Sequence, residues 1–209
     1  MTTHTAGTLI DQSYRRVTVP IAARLAGIRG ITPNRVSVAA FLFGGIASPA
    51  LVLRGRLTLA GLAYLLGDVL DYLDGDVARA QGTASQTGDI LDGVLDRYTD
   101  ILTAGSMTVA SVRAAKGGPQ RAAAAGWCAS VGVVLPSYVQ AVAFANGRQT
   151  VHSIGGRGTR NRITWVSLIC RRPLYGLLAN AFLSHVAAAH RAVHVLSQPE
   201  PAQQVAPQA

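Results

Sequence analysis

Acidic residues are concentrated in one short stretch of this chain. Eight of the ten lie between Asp68 and Asp100, and all eight are aspartates. Four of these, Asp71, Asp74, Asp92 and Asp96, stand in the string D-x-x-D-G-x-x-A-R-x8-G-x-x-x-D-x-x-x-D. Because carboxylates are costly to bury in lipid, acids inside apolar segments mark ion or substrate sites. This stretch is therefore our candidate for the functional site.

Helix geometry brings the four carboxylates of the string together. At about 100° per residue, Asp71 and Asp74 lie about 60° apart on one helix, and Asp92 and Asp96 about 40° apart on the next. Four converging carboxylates repel one another unless a divalent cation neutralises them. An oxygen-only ligand set favours Mg²⁺, Mn²⁺ or Ca²⁺ over Zn²⁺. Bridging carboxylates allow two ions about 3.5 to 4 Å apart, and we expect two.

The residues between the two pairs of aspartates indicate a phosphate ligand. Gly75 has no side chain and lets a bulky group approach the helix backbone. Arg79, four residues further on, lies on nearly the same face, where its planar guanidinium can grip a phosphate. The sequence has no G-x-x-x-x-G-K-[ST] string, so this is not a P-loop site. The pattern predicts a site for a pyrophosphate compound.

Composition predicts an all-α integral membrane protein. Hydrophobic residues make up 49% of the chain and charged residues 14%, with a mean hydropathy of +0.29; soluble domains carry roughly a quarter charged residues. The ranges 36–53 and 122–145 contain no charged residue, and each is long enough to span a bilayer. With four less apolar candidates at about 57–80, 88–112, 163–170 and 173–196, we expect six transmembrane helices.

The N-terminal segment is expected to form an interfacial amphipathic helix. Apolar residues recur there at helical spacing, with arginines on the other faces, as in a helix that lies along a membrane surface. These apolar positions are Tyr14, Val17, Ile21, Leu25 and Ile28.

Charge and composition also bear on topology and partners. Arginines before the first span predict a cytoplasmic N-terminus and an active site that faces the cytoplasm. The net charge of +9 does not indicate nucleic acid, because aromatic residues make up only 6% of the chain and single-strand binders need stacking platforms. Residues 1–196 are expected to form one membrane domain, followed by a disordered tail over 197–209.

The complete aspartate string resembles the signature of the CDP-alcohol phosphatidyltransferase family, with every position filled, and T-P-N-R-V-S at 32–37 resembles a stretch before the first span of such enzymes. The resemblance implies phospholipid biosynthesis: metal-dependent transfer of a phosphatidyl group from a CDP-alcohol, such as CDP-diacylglycerol, to an acceptor hydroxyl, with release of CMP. It also implies Mg²⁺ or Mn²⁺ as cofactor, membrane lipid as surroundings and a homodimer.

The resemblance also implies residue roles. Asp71, Asp74 and Asp92 would hold metal, and Asp96 would share the metal and act as the catalytic base. The residues implied to contact the CDP-alcohol are Asn34, Ser37, Gly75, Arg79 and Ser85.

The acceptor is predicted from a second resemblance. The run L-D-R-Y-T-D at 95–100 is similar to a stretch in the inositol-phosphate-using members, the phosphatidylinositol-phosphate and di-myo-inositol-phosphate-phosphate synthases. Inositol phosphate is therefore the favoured acceptor. Arg157, Arg160 and Arg162, on the presumed active side, would suit an acceptor that carries phosphate. Glycerol phosphate stays open, because it also needs cationic partners.

Two other functional classes and three further aspartates complete the predictions. An intramembrane prenyltransferase also binds a diphosphate through aspartates, and a cation carrier lines its path with them, although Arg79 would oppose cation passage. We expect Asp68 to be an outer-shell ligand, a substrate ligand or a water-facing interfacial acid, and Asp76 to face solvent. Asp89 is expected to favour the start of its helix through the dipole rather than to be a ligand.

Overall fold

In a computed structural model of the chain, residues 9–115, 118–151 and 156–199 are described, and this part is helical without strands. The all-α prediction is confirmed. Of the predicted disordered tail, residues 200–209 lie outside the described residues. The helices of the described part are α1 Leu9–Leu25, α2 Pro33–Leu53, α3 Leu57–Gln81, α4 Gln86–Ala114, α5 Pro119–Ala145, α6 Arg157–Ile169 and α7 Pro173–Leu196.

Local sequence sets the helix ends around the site. Thr32 caps α2 by accepting a hydrogen bond from the Arg35 backbone N–H at 3.4 Å, and Pro33 takes the first helical position, where a missing N–H costs nothing. Gly82 ends α3 with φ = 65°, a left-handed conformation that favours glycine. Ser85 caps α4 by accepting from the Gly88 N–H at 3.2 Å. The two acidic helices are therefore joined by a short turn.

Two helices of the described part are long and apolar enough to cross a bilayer. They are α2, Pro33–Leu53, and α5, Pro119–Ala145. Helices α3 and α4 carry the aspartates, and α6 has only 13 residues, so the six-span count stays a prediction. Several large apolar side chains face outward, including Leu62, Leu66 and Phe182 at 49%, 42% and 69% exposure. Such a surface suits contact with lipid rather than water.

Helix α1 packs on α3 through a stripe that differs from the predicted one. Tyr14, Thr18 and Ala22, spaced by four residues, are buried, whereas Val17 and Ile21 are exposed. Two of the apolar positions thus face outward, as expected for an interfacial helix, but Tyr14 faces α3. The difference arises because α3 offers buried carboxylates, which hydroxyl groups can satisfy.

Helix α3 is the central element, packed against α1, α2 and α6, and its aspartates face an aspartate of α4 across the site. Its contact with α2 is unusually close: a Cβ atom on Gly67 would lie 2.7 Å from the Gly44 nitrogen. Gly44 lies in a π-helical stretch of α2, Leu42–Ala47. One apolar cluster, which includes Val52, Met107 and Leu177, fills the end of the bundle away from the acids. A second cluster, Ala22, Val36, Leu73 and Val77, fixes α1 and α2 on α3.

Candidate active site

Three of the four predicted metal ligands converge between α3 and α4. Asp71, Asp74 and Asp92 each offer one carboxylate oxygen, and these oxygens all lie within 4.8 Å of one another. Asp74 is buried, and the other two are partly buried. A compact set of carboxylate oxygens fits a hard divalent cation such as Mg²⁺ or Mn²⁺. The donor set thus fits the metal that the sequence predicts.

Asp96 lies beside this trio and is connected to it by an arginine. The Arg157 Nη2 donates to the Asp71 Oδ1 at 2.9 Å and also to the Asp96 Oδ1. Asp96 is 8% exposed, and the Arg97 guanidinium lies 3.9 Å from its second oxygen. The structure therefore brings Asp96 next to the carboxylate trio as the partner of Arg157.

The five predicted CDP-alcohol residues line a single cleft. This cleft has a volume of about 130 Å³ and adjoins Asp74 and Asp92. Its predicted lining residues are Asn34, Ser37, Gly75, Arg79 and Ser85.

Two of these residues have additional structural contacts. The Ser37 hydroxyl donates to the buried Asp74 Oδ2 at 2.5 Å, which orients that carboxylate. The Ser85 hydroxyl caps α4, so it fixes the start of the helix that carries Asp92.

Arg79 reaches the cleft from a buried anchor. Its Nη2 donates to the Asp76 Oδ1 at 2.5 Å, yet the side chain is 50% exposed. A Cβ atom on Gly75 would lie 3.4 Å from the Arg79 guanidinium nitrogens. Asp76, expected to face solvent, is instead 4% exposed and accepts a hydrogen bond from the Thr18 hydroxyl at 2.5 Å. That expectation was wrong because α1 covers this face of α3.

The three predicted acceptor arginines do not form one cluster. Arg157 contacts the aspartates, whereas Arg160 is buried and lines a separate small cavity of about 20 Å³ beside Tyr64 and Asp100. The Arg162 guanidinium lies over the Tyr14 ring, 5.3 Å from its centroid. Successive positions on one short helix point in different directions. Arg157 is therefore the member of the three that contacts the acidic site.

The role and exposure of Asp68 could not be decided from the sequence. It is 4% exposed, so the water-facing alternative was wrong. Its Oδ2 accepts from the Tyr14 hydroxyl and its Oδ1 from the Asn161 amide, both at 2.6 Å. Burial, followed by the charge of Asp68, raises the pKa of Tyr14 to about 12. The spacing of three residues from Asp68 to Asp71 was the signal for a shared face, whereas nothing in the sequence indicated Tyr14 or Asn161.

Two remaining aspartates behave as their positions suggest. Asp89 is exposed in the first turn of α4, where a negative charge is favourable, and it also lines the cleft. Asp100 pairs with Arg97, whose Nη1 lies 3.0 Å from the Asp100 Oδ2.

A family model and individual relatives were both found for this chain. A family model described as CDP-alcohol phosphatidyltransferase matches residues 30–195. A bifunctional IPC transferase and DIPP synthase of Rubrobacter xylanophilus is 32% identical over 165 residues, which cover 77% of this chain and 36% of that protein. A phosphatidylinositol phosphate synthase of Mycobacteroides abscessus is 33% identical over 95 residues, 46% of this chain and 43% of that protein. The matched segments thus cover less than half the length of these relatives.

A solved structure has the same fold. The crystal structure of Mycobacterium tuberculosis phosphatidylinositol phosphate synthase with CDP-DAG bound superposes with a TM-score of 0.78 at 22% identity. The match covers 91% of this chain and 99% of that one. The same protein in complex with manganese and citrate gives the same TM-score.

Proposed function

Because this chain belongs to the CDP-alcohol phosphatidyltransferase family, we propose that it transfers a phosphatidyl group from CDP-diacylglycerol, or a related CDP-alcohol, to the hydroxyl of a phosphorylated polyol. The new bond joins the acceptor oxygen to the lipid-linked phosphorus. The bond that breaks joins this phosphorus to the oxygen of the CMP leaving group, and the acceptor hydroxyl releases a proton. The products are a phospholipid and CMP.

One observation carries this proposal: two of the three converging carboxylates, Asp74 and Asp92, line the cleft that holds all five predicted CDP-alcohol residues. A diphosphate in that cleft lies against Asp74 and Asp92, with the exposed Arg79 guanidinium on the same wall. Asp71, Asp74 and Asp92 would hold Mg²⁺ or Mn²⁺, and we propose two ions, with Asp96 contributing to the second. The ions would neutralise charge on the transferring phosphate and the leaving group.

We assign the acceptor proton to Asp96. This carboxylate lies next to the trio, and Arg157 contacts both it and Asp71. A carboxylate in hydrogen-bond reach of the acceptor hydroxyl can take its proton. Arg157 would then orient the acceptor through its phosphate, since a guanidinium binds phosphate with a matched pair of N–H groups.

Inositol phosphate is the proposed acceptor. Relatives named phosphatidylinositol phosphate synthase come from Mycobacteroides abscessus and Corynebacterium glutamicum, and the run at 95–100 supports the same choice. Glycerol phosphate is the second candidate, because it offers the same phosphate to Arg157. The cationic Arg157 among the aspartates counts against a cation carrier, and the filled family signature counts against a prenyltransferase.

The membrane topology and the oligomeric state are also part of the proposal. We propose a multi-pass membrane protein with six spans, an active site that faces the cytoplasm, and a homodimer by resemblance to the family. The exposed apolar side chains of α3 and α7 support contact with lipid, and the arginines near the N-terminus support the orientation. Crosslinking in membranes and accessibility of single cysteines at the helix ends would test the dimer and the topology.

The proposed function is tested by CMP release from purified protein with CDP-diacylglycerol and Mg²⁺. Inositol phosphate and glycerol phosphate are supplied separately, each radiolabelled, so that incorporation into lipid identifies the acceptor. Asp96→Asn is expected to release CMP at least about 10²-fold more slowly, as for loss of a general base. The proposal fails if neither acceptor is incorporated, or if Asp96→Asn matches the wild type.

A further inference from the structure

Helices α3 and α6 are joined by polar contacts at successive turns near the active site. At one level, Arg157 of α6 contacts Asp71 of α3 at 2.9 Å. One turn away, the Asn161 amide of α6 donates to Asp68 of α3 at 2.6 Å. The residue numbers rise along α3 as they fall along α6, so the helices run antiparallel. The two contacts thus fix the same helix pair at adjacent levels.

Both carboxylate oxygens of Asp68 are engaged by other side chains. One of its oxygens accepts from Tyr14 and the other from Asn161, each at 2.6 Å, and the residue is 4% exposed. Asn161 is equally buried, at 5%, and its amide oxygen accepts from the Tyr64 hydroxyl at 3.2 Å. A fully satisfied buried network of this kind specifies one arrangement of the helices that it joins.

Backbone packing further along the same interface leaves little freedom for sliding. A Cβ atom on Gly61 of α3 would lie 2.8 Å from the Ile169 nitrogen and 2.9 Å from the Trp165 carbonyl oxygen of α6. The helices therefore already touch at one end of the interface. Between this contact and Arg157, the hydrogen bonds of Asn161 with Asp68 and Tyr64 set the rotation of α6.

We infer that Asp68 and Asn161 are positioning residues, which hold Arg157 in the place where it can meet a phosphorylated acceptor. This inference rests on the proposed function and adds to it a determinant of acceptor affinity outside the family signature. Among the described residues, the ion pairs of Arg157 are with the carboxylates of Asp71 and Asp96. A substrate phosphate must draw the guanidinium partly away from these, so the backbone of α6 has to keep its place.

The sequence offers an exchange that conserves the hydrogen bonds. In the double variant Asp68→Asn with Asn161→Asp, the amide at 68 donates to the carboxylate at 161. The amide oxygen at 68 still accepts from Tyr14, and the carboxylate at 161 still accepts from Tyr64. By contrast, Asn161→Leu preserves the size of the side chain but leaves one Asp68 oxygen and the Tyr64 hydroxyl without hydrogen-bond partners. A buried polar group that has lost its partner destabilises the fold more than the removal of both members of a hydrogen bond does.

A buried asparagine elsewhere provides the matched control. Asn180 of α7 is 6% exposed, and its amide donates to the Thr164 hydroxyl at 2.8 Å. This hydrogen bond does not involve Asp68 or Arg157. Asn180→Leu therefore removes another buried amide bonded to α6, through Thr164, while the hydrogen bonds of Asp68 and Asn161 are kept.

Steady-state kinetics with CDP-diacylglycerol and inositol phosphate test the inference. Asn161→Leu should raise the KM for inositol phosphate about 10-fold or more, with the KM for the CDP-lipid within about twofold, by analogy with other residues that orient a binding group. The exchange variant should recover the acceptor KM to within about threefold, and Asn180→Leu should leave it unchanged. The inference is overturned if both KM values rise together, if Asn180→Leu acts like Asn161→Leu, or if the exchange does not recover.

A second readout is independent of the reaction. Modification of Arg157 by phenylglyoxal, followed by mass spectrometry, should be several-fold faster in Asn161→Leu than in the wild type and unchanged in Asn180→Leu. An unchanged rate in Asn161→Leu would overturn the inference even in an active enzyme. If the wild type incorporates no acceptor, the proposed function fails, whereas this chemical test still decides whether the pair positions Arg157.

Discussion

Replacement of Gly67 by alanine tests how closely α2 and α3 must approach for the site to form. The added Cβ would lie 2.7 Å from the Gly44 nitrogen, 2.8 Å from the Gly44 Cα and 2.9 Å from the Ala40 carbonyl oxygen. All three atoms belong to the backbone, so no side chain can rotate away. To reach ordinary contact at 3.4 Å from 2.7 Å, α2 must move by about 0.7 Å.

This shift has a cost in stability and a cost in activity. Overpacking of this kind destabilises by about 1–3 kcal/mol, which corresponds to a fall of roughly 2–12 °C in Tm for a chain of this size. Gly67 precedes Asp68 on α3, and α2 carries Ser37, which orients Asp74. Since displacement of a catalytic group by 1 Å costs about 10²-fold, we expect kcat/KM for CMP release to fall roughly 10- to 100-fold.

The matched control is Gly105→Ala on α4. A Cβ there meets nothing within 4 Å, and alanine is favoured over glycine within a helix by up to about 1 kcal/mol. Thermal unfolding in detergent and CMP release, measured on both variants, separate the helix propensity from the steric effect. If Gly67→Ala equals Gly105→Ala in Tm and in kcat/KM, the close approach of α2 and α3 is not required.

Two further predictions concern hydroxyl groups that contact aspartates. Ser37→Ala removes the donor to buried Asp74 and should weaken Mn²⁺ binding about 10- to 100-fold, as for other partners of metal ligands; electron paramagnetic resonance of free Mn²⁺ measures this, and unchanged affinity contradicts it. Because the pKa of Tyr14 rises from 10.0 to about 12 on folding, the stability that it contributes is fully present below pH 10 and lost as the pH rises through 12. Tyr14→Phe should therefore flatten the loss of stability over this range in alkaline unfolding, and an unchanged slope would contradict the assignment.

The positions of the aspartates on α3 and α4 could be predicted because helix geometry is local. The spacing of Asp71, Asp74 and Asp92 in the sequence, together with a short turn between the helices, leaves few arrangements in which they do not meet. The same holds for the cleft, because Gly75 and Arg79 lie on the same helix as two of the acids. These predictions needed only one helical hairpin.

Contacts between distant helices could not be predicted in the same way. Whether Asp76 faces solvent depends on α1, and whether Asp68 is satisfied depends on Asn161, which lies 93 residues away. The charges of Arg157, Arg160 and Arg162 can be read from the sequence. The rotation of α6, which decides where they point, cannot, because it is set by packing on α3. Hydropathy likewise identified α2 and α5 as candidate spans. It is a weak signal for α3 and α4, because their aspartates lower the mean hydropathy of these helices.

The contact between Arg157 and Asp96 crosses 61 positions of the chain, and this distance matters during synthesis. Ribosomes make proteins from the N-terminus, and early segments fold first. The hairpin of α3 and α4 therefore emerges with its carboxylates complete while the guanidinium that neutralises two of them has not yet been made. Until α6 arrives, these acids must stay in contact with water, take up protons or capture cations from the cell.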